Sequence, residues 1–467
     1  MKLYNTLTHK VEDFITHTPE VVNLYTCGPT VYHFAHIGNL RTYIMEDILE
    51  KTLTYVGYYV HRVMNITDVG HLTSDSDSGN DKMVESAKNE HKSVLEIANF
   101  YTDAFFKDCE TLNIKKPEVV SKATDNVEFY IKIIQKLLEK GYAYESNGNI
   151  YFDITKVQDY YQLTNHKVDD MVVGVREGVE FDGGKRNQGD FVLWFTKSKF
   201  QDQELKWDSP FGTGYPGWHI ECSGISLSNL GEYLDIHCGG VDNIFPHHTN
   251  EIAQSESYLG HKWCSYWVHC EHLNIKDAKM AKSKGNVITV STLLNEGYNP
   301  LSYRYMCLTS HYRKILEFSF DALKASENAY LKLLNRISMI RDEGQFQDAA
   351  FKDYNDRFMD SLKDDLNTAN ALTVLYDLLK DQTLNGNTKL DLIRSFDRVL
   401  SLNLISDTHN ALHPQHDEIM KLIEQRAEFK KEHKFKEADG IRDELTTRGV
   451  ELIDTREGTI YKIRDEK

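Results

Sequence analysis

One stretch constrains this chain more than any other: Cys27-Gly28-Pro29-Thr30-Val31-Tyr32-His33-Phe34-Ala35-His36-Ile37-Gly38-Asn39. Ahead of it, Val21-Val22-Asn23-Leu24-Tyr25 predicts a buried strand. Behind it, Leu40-Arg41-Thr42-Tyr43-Ile44-Met45-Glu46-Asp47-Ile48-Leu49 carries apolar residues at helical spacing. The result is a strand, a turn bearing Gly and Pro, and a helix whose N-terminus carries a His-x-Gly pair. Free backbone N–H groups and the helix dipole make such a terminus an anion site suited to phosphate. Gly38 lets the backbone approach a ligand closely, and His36 offers a donor toward charge developing on a phosphate. Taken alone, the pattern is equally compatible with an α/β protein that binds no nucleotide.

At 467 residues the chain has room for roughly two to four domains. Hydrophobic content of 40% and charged content of 27% are those of a globular protein. No apolar run is long enough to span a bilayer. The opening Met1-Lys2-Leu3-Tyr4-Asn5-Thr6 lacks a charged-then-apolar signal pattern, so a cytoplasmic protein is expected. Seven cysteines, an odd number without regular spacing, point to reduced thiols and metal ligands rather than a disulfide framework. The net charge of −17 neither supports nor excludes an RNA partner, because binding depends on where basic residues cluster.

Residues 1–115 alternate strand-like and helix-like pieces. With Tyr59–Ile66 as a second strand, they make a βαβ unit and hence a parallel sheet, whose ligands lie beyond the carboxyl ends of its strands. Cys27, His36 and Thr67 fall there. Residues 116–205 interrupt the pattern with an amphipathic helix at 127–138 and a hairpin signal at Asn147-Gly148-Asn149. Residues 206–300 return to it: a strand at 233–237, a helix opened by Pro246, a strand at 266–270, and a loop from Asp277 to Asn286. Cys27 and Cys222 are expected at strand ends or turns of one sheet. His247 and Glu251, four apart, are expected on one helix face. Residues 301–405 read as helical, with stripes at 318–342 and 357–381. Residues 406–467 read as a small unit with a helix at 417–433 and two short strands after Gly449.

Cys-Gly-Pro-Thr-Val-Tyr followed by His-Ile-Gly resembles the opening of the cysteinyl-tRNA synthetases, a family of class I synthetases, and the resemblance extends over almost the whole chain. It implies an α/β fold: a Rossmann-like parallel-sheet catalytic domain in two halves (1–115 and 206–300) split by a connective insertion (116–205). A helical tRNA stem-contact bundle (301–405) and a small C-terminal α+β anticodon-binding domain (406–467) would follow. It implies one Zn²⁺ per chain on Cys27, Cys222, His247 and Glu251, a donor set that suits tetrahedral zinc. Zinc would select the substrate thiolate, since a hydrophobic pocket separates cysteine from serine poorly. Thr67, Trp218, His237 and Asp242 resemble residues of the amino-acid pocket, and His248 is open between a supporting role, a core role and contact with the substrate.

Lys279-Met280-Ala281-Lys282-Ser283 resembles the family's Lys-Met-Ser-Lys-Ser loop, with Lys282 as the main phosphate clamp and Lys279 in support. His36, Asn39, Lys279 and Lys282 are thus the catalytic candidates, and Gly38, His36 and Lys282 the ATP-binding ones, with Mg²⁺ accompanying ATP. Phe429–Lys436 interleaves basic and aromatic residues in a way that fits contact with exposed anticodon bases. The implied partners are tRNA(Cys), L-cysteine and ATP, with no membrane and a monomeric chain. Three departures stand out: Asn39 replaces the second histidine of His-Ile-Gly-His, Ala281 replaces a serine, and the loop at 68–82 differs from Thr-Asp-Val-Asp-Asp-Lys. Two rivals remain open, a cysteine ligase acting on a small amine and a non-catalytic RNA-binding paralog.

Overall fold

The computed structural model describes residues 1–69, 93–164, 183–197, 205–276, 287–405, 416–432, 434–455 and 458–463. An antiparallel pair, β1 (Lys2–Asn5) and β2 (Lys10–Asp13), precedes the central strand β3 (Val21–Thr26). Next come α1 (Ile37–Tyr55), β4 (Tyr59–Ile66), α2 (Val94–Thr111), β5 (Val119–Lys122) and α3 (Val127–Glu139). A second sheet interrupts here, built from β6 (Ala143–Ser146), β7 (Asn149–Phe152), β8 (Phe191–Phe195) and β9 (Tyr215–Pro216), all antiparallel. The first fold then resumes with α4 (His219–Leu230), β10 (Leu234–Gly240), α5 (Thr249–Leu259) and β11 (Cys264–Cys270). The main sheet is parallel throughout, in the order β11-β10-β3-β4-β5. Its inner strands are buried on both faces, as continuous apolar runs such as Val-Val-Asn-Leu-Tyr require of a parallel sheet.

Helix α1 lies on this sheet through charge as well as apolar packing. Arg62 of β4 is fully buried, with Nη2 3.0 Å from Glu46 Oε2, Nη1 3.2 Å from Glu50 Oε2 and Nε donating to Thr26 Oγ1 at 3.2 Å. Beside Glu46 in sequence, Asp47 accepts from Lys51 at 2.7 Å and from Arg304 at 2.6 Å. Arg41, also buried, donates to the carbonyls of Glu271, His272 and Lys314. These contacts set the position of the helix N-terminus, where His36 stands, against the segment that follows β11.

The chain divides into two units, 1–319 with 359–369, and 320–358 with 370–467. The first is completed by α6 (Val290–Asn295), α7 (Pro300–Leu308) and the parallel pair β12 (Leu273–Ile275) and β13 (Leu316–Phe318). The second holds α8 (Phe320–Ser338), most of α9 (Asp348–Lys363) and α10 (Thr368–Lys380), and α11 (Gly386–Leu400). It ends in α12 (His416–Lys431), α13 (Phe435–Thr447) and the hairpin β14 (Val450–Thr455) with β15 (Gly458–Ile463). Ile419, Ile423, Ile441, Leu445, Val450 and Leu452 form a small core of their own there.

One expectation fails. The single helix across 357–381 is two helices, broken at Asp365 and Leu366, whose φ angles are 54° and 57°. The Asp365 carboxylate accepts from Tyr4 N (2.8 Å), Tyr312 OH (2.7 Å) and Arg313 Nε (2.7 Å). Three donors from elsewhere in the unit thus outweigh a continuous apolar stripe.

Replacing Arg62 with Met takes the ion-pair partner from buried Glu46 and leaves Glu50 only its contact with Lys115, and is expected to cost about 3–5 kcal/mol. All five tryptophans lie in the first unit, so denaturation followed by their fluorescence reads that unit alone. A loss below ~1 kcal/mol would show that the pair does not hold α1.

Candidate active site

The parallel register brings the carboxyl ends of β10, β3 and β4 level. Thr26 stands opposite both Cys238 and Met64, and Cys27 N donates to Cys238 O at 3.2 Å. Cys27 therefore leaves the sheet at its centre. Cys222 lies in the first turn of α4 rather than at the strand end or turn expected of it. The regular helix α5 begins at Thr249, so Glu251 sits in its first turn and His247 in the turn ahead of it. The two still reach one place, His247 Nε2 lying 3.1 Å from Glu251 Oε1.

There the four residues meet. Cys27 Sγ is 3.9 Å from Cys222 Sγ, and His247 Nε2 is 3.4 Å from Cys222 Sγ. All four candidate ligand atoms lie within 4.8 Å of one another. Tetrahedral zinc with ordinary bond lengths separates its ligand atoms by roughly 3.3–3.8 Å, close to the separations found. Glu251 is fully buried, and among the described residues its Oε1 makes no hydrogen bond of good geometry, its near neighbour being His247 Nε2. The Cys27 thiol is pushed up by its hydrogen bond with Cys222 and by burial. Burial pushes Cys222 up to about 11 and Glu251 up to about 8. A cation held between these acidic groups would favour their ionised forms, so the donor set fits zinc. A second, overlapping set replaces Cys222 and His247 with His237 and His248.

Above the ligands opens a cleft of about 620 Å³, lined by Cys27, Cys222 and His247 together with His36, Gly38, Asn39, Thr67, Trp218 and Asp242. His36 caps α1, its Nδ1 accepting from Asn39 N at 3.1 Å. Partial desolvation, then the nearby His33, hold its imidazole below the usual range. A neutral ring that accepts at Nδ1 carries its proton on Nε2, as a donor. Gly38 makes this possible, because a Cβ there would lie 2.9 Å from His36 Nδ1.

Thr67 Oγ1 donates to Glu221, 2.9 Å from Oε1 and 3.0 Å from Oε2, and Asn65 Nδ2 donates to Glu221 Oε1 at 2.8 Å. Asn65 Oδ1 in turn accepts from Gly28 N at 2.7 Å. Trp218 is buried with no partner for its indole N–H among the described residues, whereas the Asp242 side chain is 81% exposed. His237 does not line the cleft. It is fully buried behind the ligands, with Nε2 2.9 Å from Glu251 Oε2 and its ring stacked on Trp267. Lys279 and Lys282 lie outside the described residues, as does the loop from Gly70 to Lys82.

Four contributors carried no local signal. Glu221 and Asn65 brace Thr67, His219 Nδ1 meets His247 Nδ1 at 3.0 Å, and His269 Nε2 meets His248 Nδ1 at 2.8 Å. His219 and Glu221 flank Cys222 so closely that only their contacts distinguish them from helix filler.

Residues 14–328 match the model of the class I (C) tRNA synthetase catalytic domain, and residues 357–402 match the DALR domain. The chain is 45% identical to the cysteine–tRNA ligase of Treponema denticola, with 99% of each chain covered. It is 44% identical to that of Borreliella burgdorferi over the same share, and 40% identical to that of Brachyspira hyodysenteriae over 98% of each. The chain belongs to the cysteine–tRNA ligase family.

It is thus a class I aminoacyl-tRNA synthetase, an enzyme, and its family implies tRNA, an amino acid and ATP as partners. A solved methionyl-tRNA synthetase from Mycobacterium tuberculosis, bound to methionyl-adenylate, shares the fold at a TM-score of 0.55 and 15% identity. That match covers 82% of this chain and 88% of the other. No helix among the described residues is long and apolar enough to cross a membrane.

Gly38→Ala is expected to lower the ATP–pyrophosphate exchange rate by roughly 10–100-fold by displacing the His36 ring. Alanine is the better helix former but the displaced cap offsets that gain, so the melting temperature should stay close to that of the parent chain. Unchanged exchange would show that the ring position is not used.

Proposed function

We propose that this chain activates L-cysteine with ATP and transfers it to tRNA(Cys). In the first step the carboxylate oxygen of cysteine attacks the α-phosphorus of ATP. The α–β phosphoanhydride bond breaks, and cysteinyl-adenylate and pyrophosphate result. In the second step a hydroxyl of the terminal ribose of the tRNA attacks the activated carbonyl, and AMP leaves. The observation that carries the reading is that two thiols, an imidazole and a carboxyl converge at the base of the cleft that also receives the His-Ile-Gly helix terminus.

The chain's own groups divide the work. The free N–H groups of the first turn of α1 and the His36 Nε2 proton face the phosphates, where negative charge grows as pyrophosphate departs. Asn39 adds a donor there but no positive charge. Lys282, with Lys279, would close on the same phosphates, accompanied by Mg²⁺. Thr67, held by Glu221, and the buried Trp218 border the space left for the amino acid, and Asp242 at the rim suits its ammonium group. Cys27, Cys222, His247 and Glu251 would hold zinc, which when bound supplies a soft Lewis-acidic centre that favours a thiolate over the harder, less acidic hydroxyl of serine. The small C-terminal unit would read the anticodon.

Aminoacylation of tRNA(Cys) with cysteine against serine, before and after chelation, tests the reading. The intact enzyme should prefer cysteine by about 10⁴-fold or more, the range for a site built around a specific group on its substrate. Chelation should abolish cysteine-dependent exchange, and added zinc should restore it. Cys222→Ser should lose both zinc and activity. Exchange that survives complete removal of zinc would overturn the metal's role. No exchange in the zinc-loaded chain would favour a binding function.

A further inference from the structure

The two ligand sets at the base of the cleft share Cys27 and Glu251 and compete for one position. One completes itself with Cys222 and His247, the other with His237 and His248. What separates the two imidazoles His247 and His248 is the partner on the far side of each ring. His247 turns Nε2 to Cys222 and Glu251 and Nδ1 to His219. His248 turns Nε2 to Cys27 Sγ at 3.2 Å and Nδ1 to His269 Nε2 at 2.8 Å. His269 Nδ1 in turn meets Thr6 Oγ1 at 2.8 Å.

This second row is buried end to end and held firmly. Thr6, just past β1, is fixed by its own N–H, which donates to Trp267 O at 2.8 Å, and His269 stands on β11. His248 packs against Gly239 of β10, where a Cβ would come within 2.9 Å of the ring. A neutral imidazole carries one proton, so the donors along such a row all point the same way. In one of the two directions the row allows, the Thr6 hydroxyl donates to His269 Nδ1, 2.8 Å away. His269 Nε2–H then donates to His248 Nδ1, and His248 Nε2–H donates to the Cys27 sulfur. A nitrogen that carries its proton has no lone pair for a metal.

We propose that Thr6, acting through His269, is a positioning residue that holds His248 as a donor to Cys27 and so assigns the metal to the two-thiol set. The inference rests on the metal centre proposed above and adds what selects its ligands. Cobalt substitution in the full-length protein tests it, because the sulfur-to-cobalt charge-transfer absorption scales with the number of thiolates. The wild-type protein should show the two-thiolate band. Thr6→Val should reduce it to about half and weaken zinc binding by roughly 10–100-fold. Thr6→Ser, which keeps the hydroxyl, should behave as wild type. His269→Leu cuts the same row one group further in and should match Thr6→Val, so the test does not depend on a single variant folding. A two-thiolate band and full zinc affinity in both Thr6→Val and His269→Leu would overturn the proposal alone. A wild-type chain that takes up neither metal would overturn the metal centre and the proposal with it.

Discussion

The arrangement of this molecule depends on the parallel pairing of β10, β3 and β4. Parallel strands end on the same side, so residues that follow them in sequence meet in space however far apart they lie along the chain. Cys27 follows β3, Thr67 follows β4 and Asp242 follows β10. With α4 and α5 packed alongside, Cys222, His247 and Glu251 come to the same edge. The buried ion pairs from Arg62 to Glu46 and Glu50 complete the frame, since they hold α1 at the depth that places its N-terminus over that edge.

The site divides one task between two kinds of chemistry. At its base are acidic groups that the apolar surroundings hold protonated in the absence of a cation, Cys222 near 11 and Glu251 near 8. Their burial costs free energy that a bound cation offsets, which couples metal uptake to a well-formed site. At its mouth are a helix terminus and a neutral imidazole with its proton outward, suited to phosphate. A donor set that fits a soft metal ion and a helix terminus that suits an anion thus sit on one sheet edge.

The departure at Asn39 falls on an exposed position of the first helical turn, where the backbone N–H serves His36 and the side chain borders the cleft. It alters the side chain that the helix terminus presents to the cleft without disturbing the packing behind it. His237 is different. The family resemblance places it in the amino-acid pocket, yet here it backs Glu251 from the interior, so its influence on substrate passes through the ligand it touches.

Local pattern was enough for the regular elements. Strands at 21–26 and 59–66 and the helix at 127–139 follow from apolar spacing, and the hairpin turn follows from Asn147 and Gly148, which adopt φ of 52° and 89°. The motifs around Cys27, Cys222, His247 and Glu251 were legible by resemblance, and the four do converge. Spacing could not reveal that Asp365 breaks a helix, that Glu221 braces Thr67, or that His219 and Thr6 govern the far sides of two rings. Periodicity records only which face of one element a residue occupies. Hydrogen bonds between elements distant in sequence leave no such trace, so the fold alone settles which donor meets which acceptor.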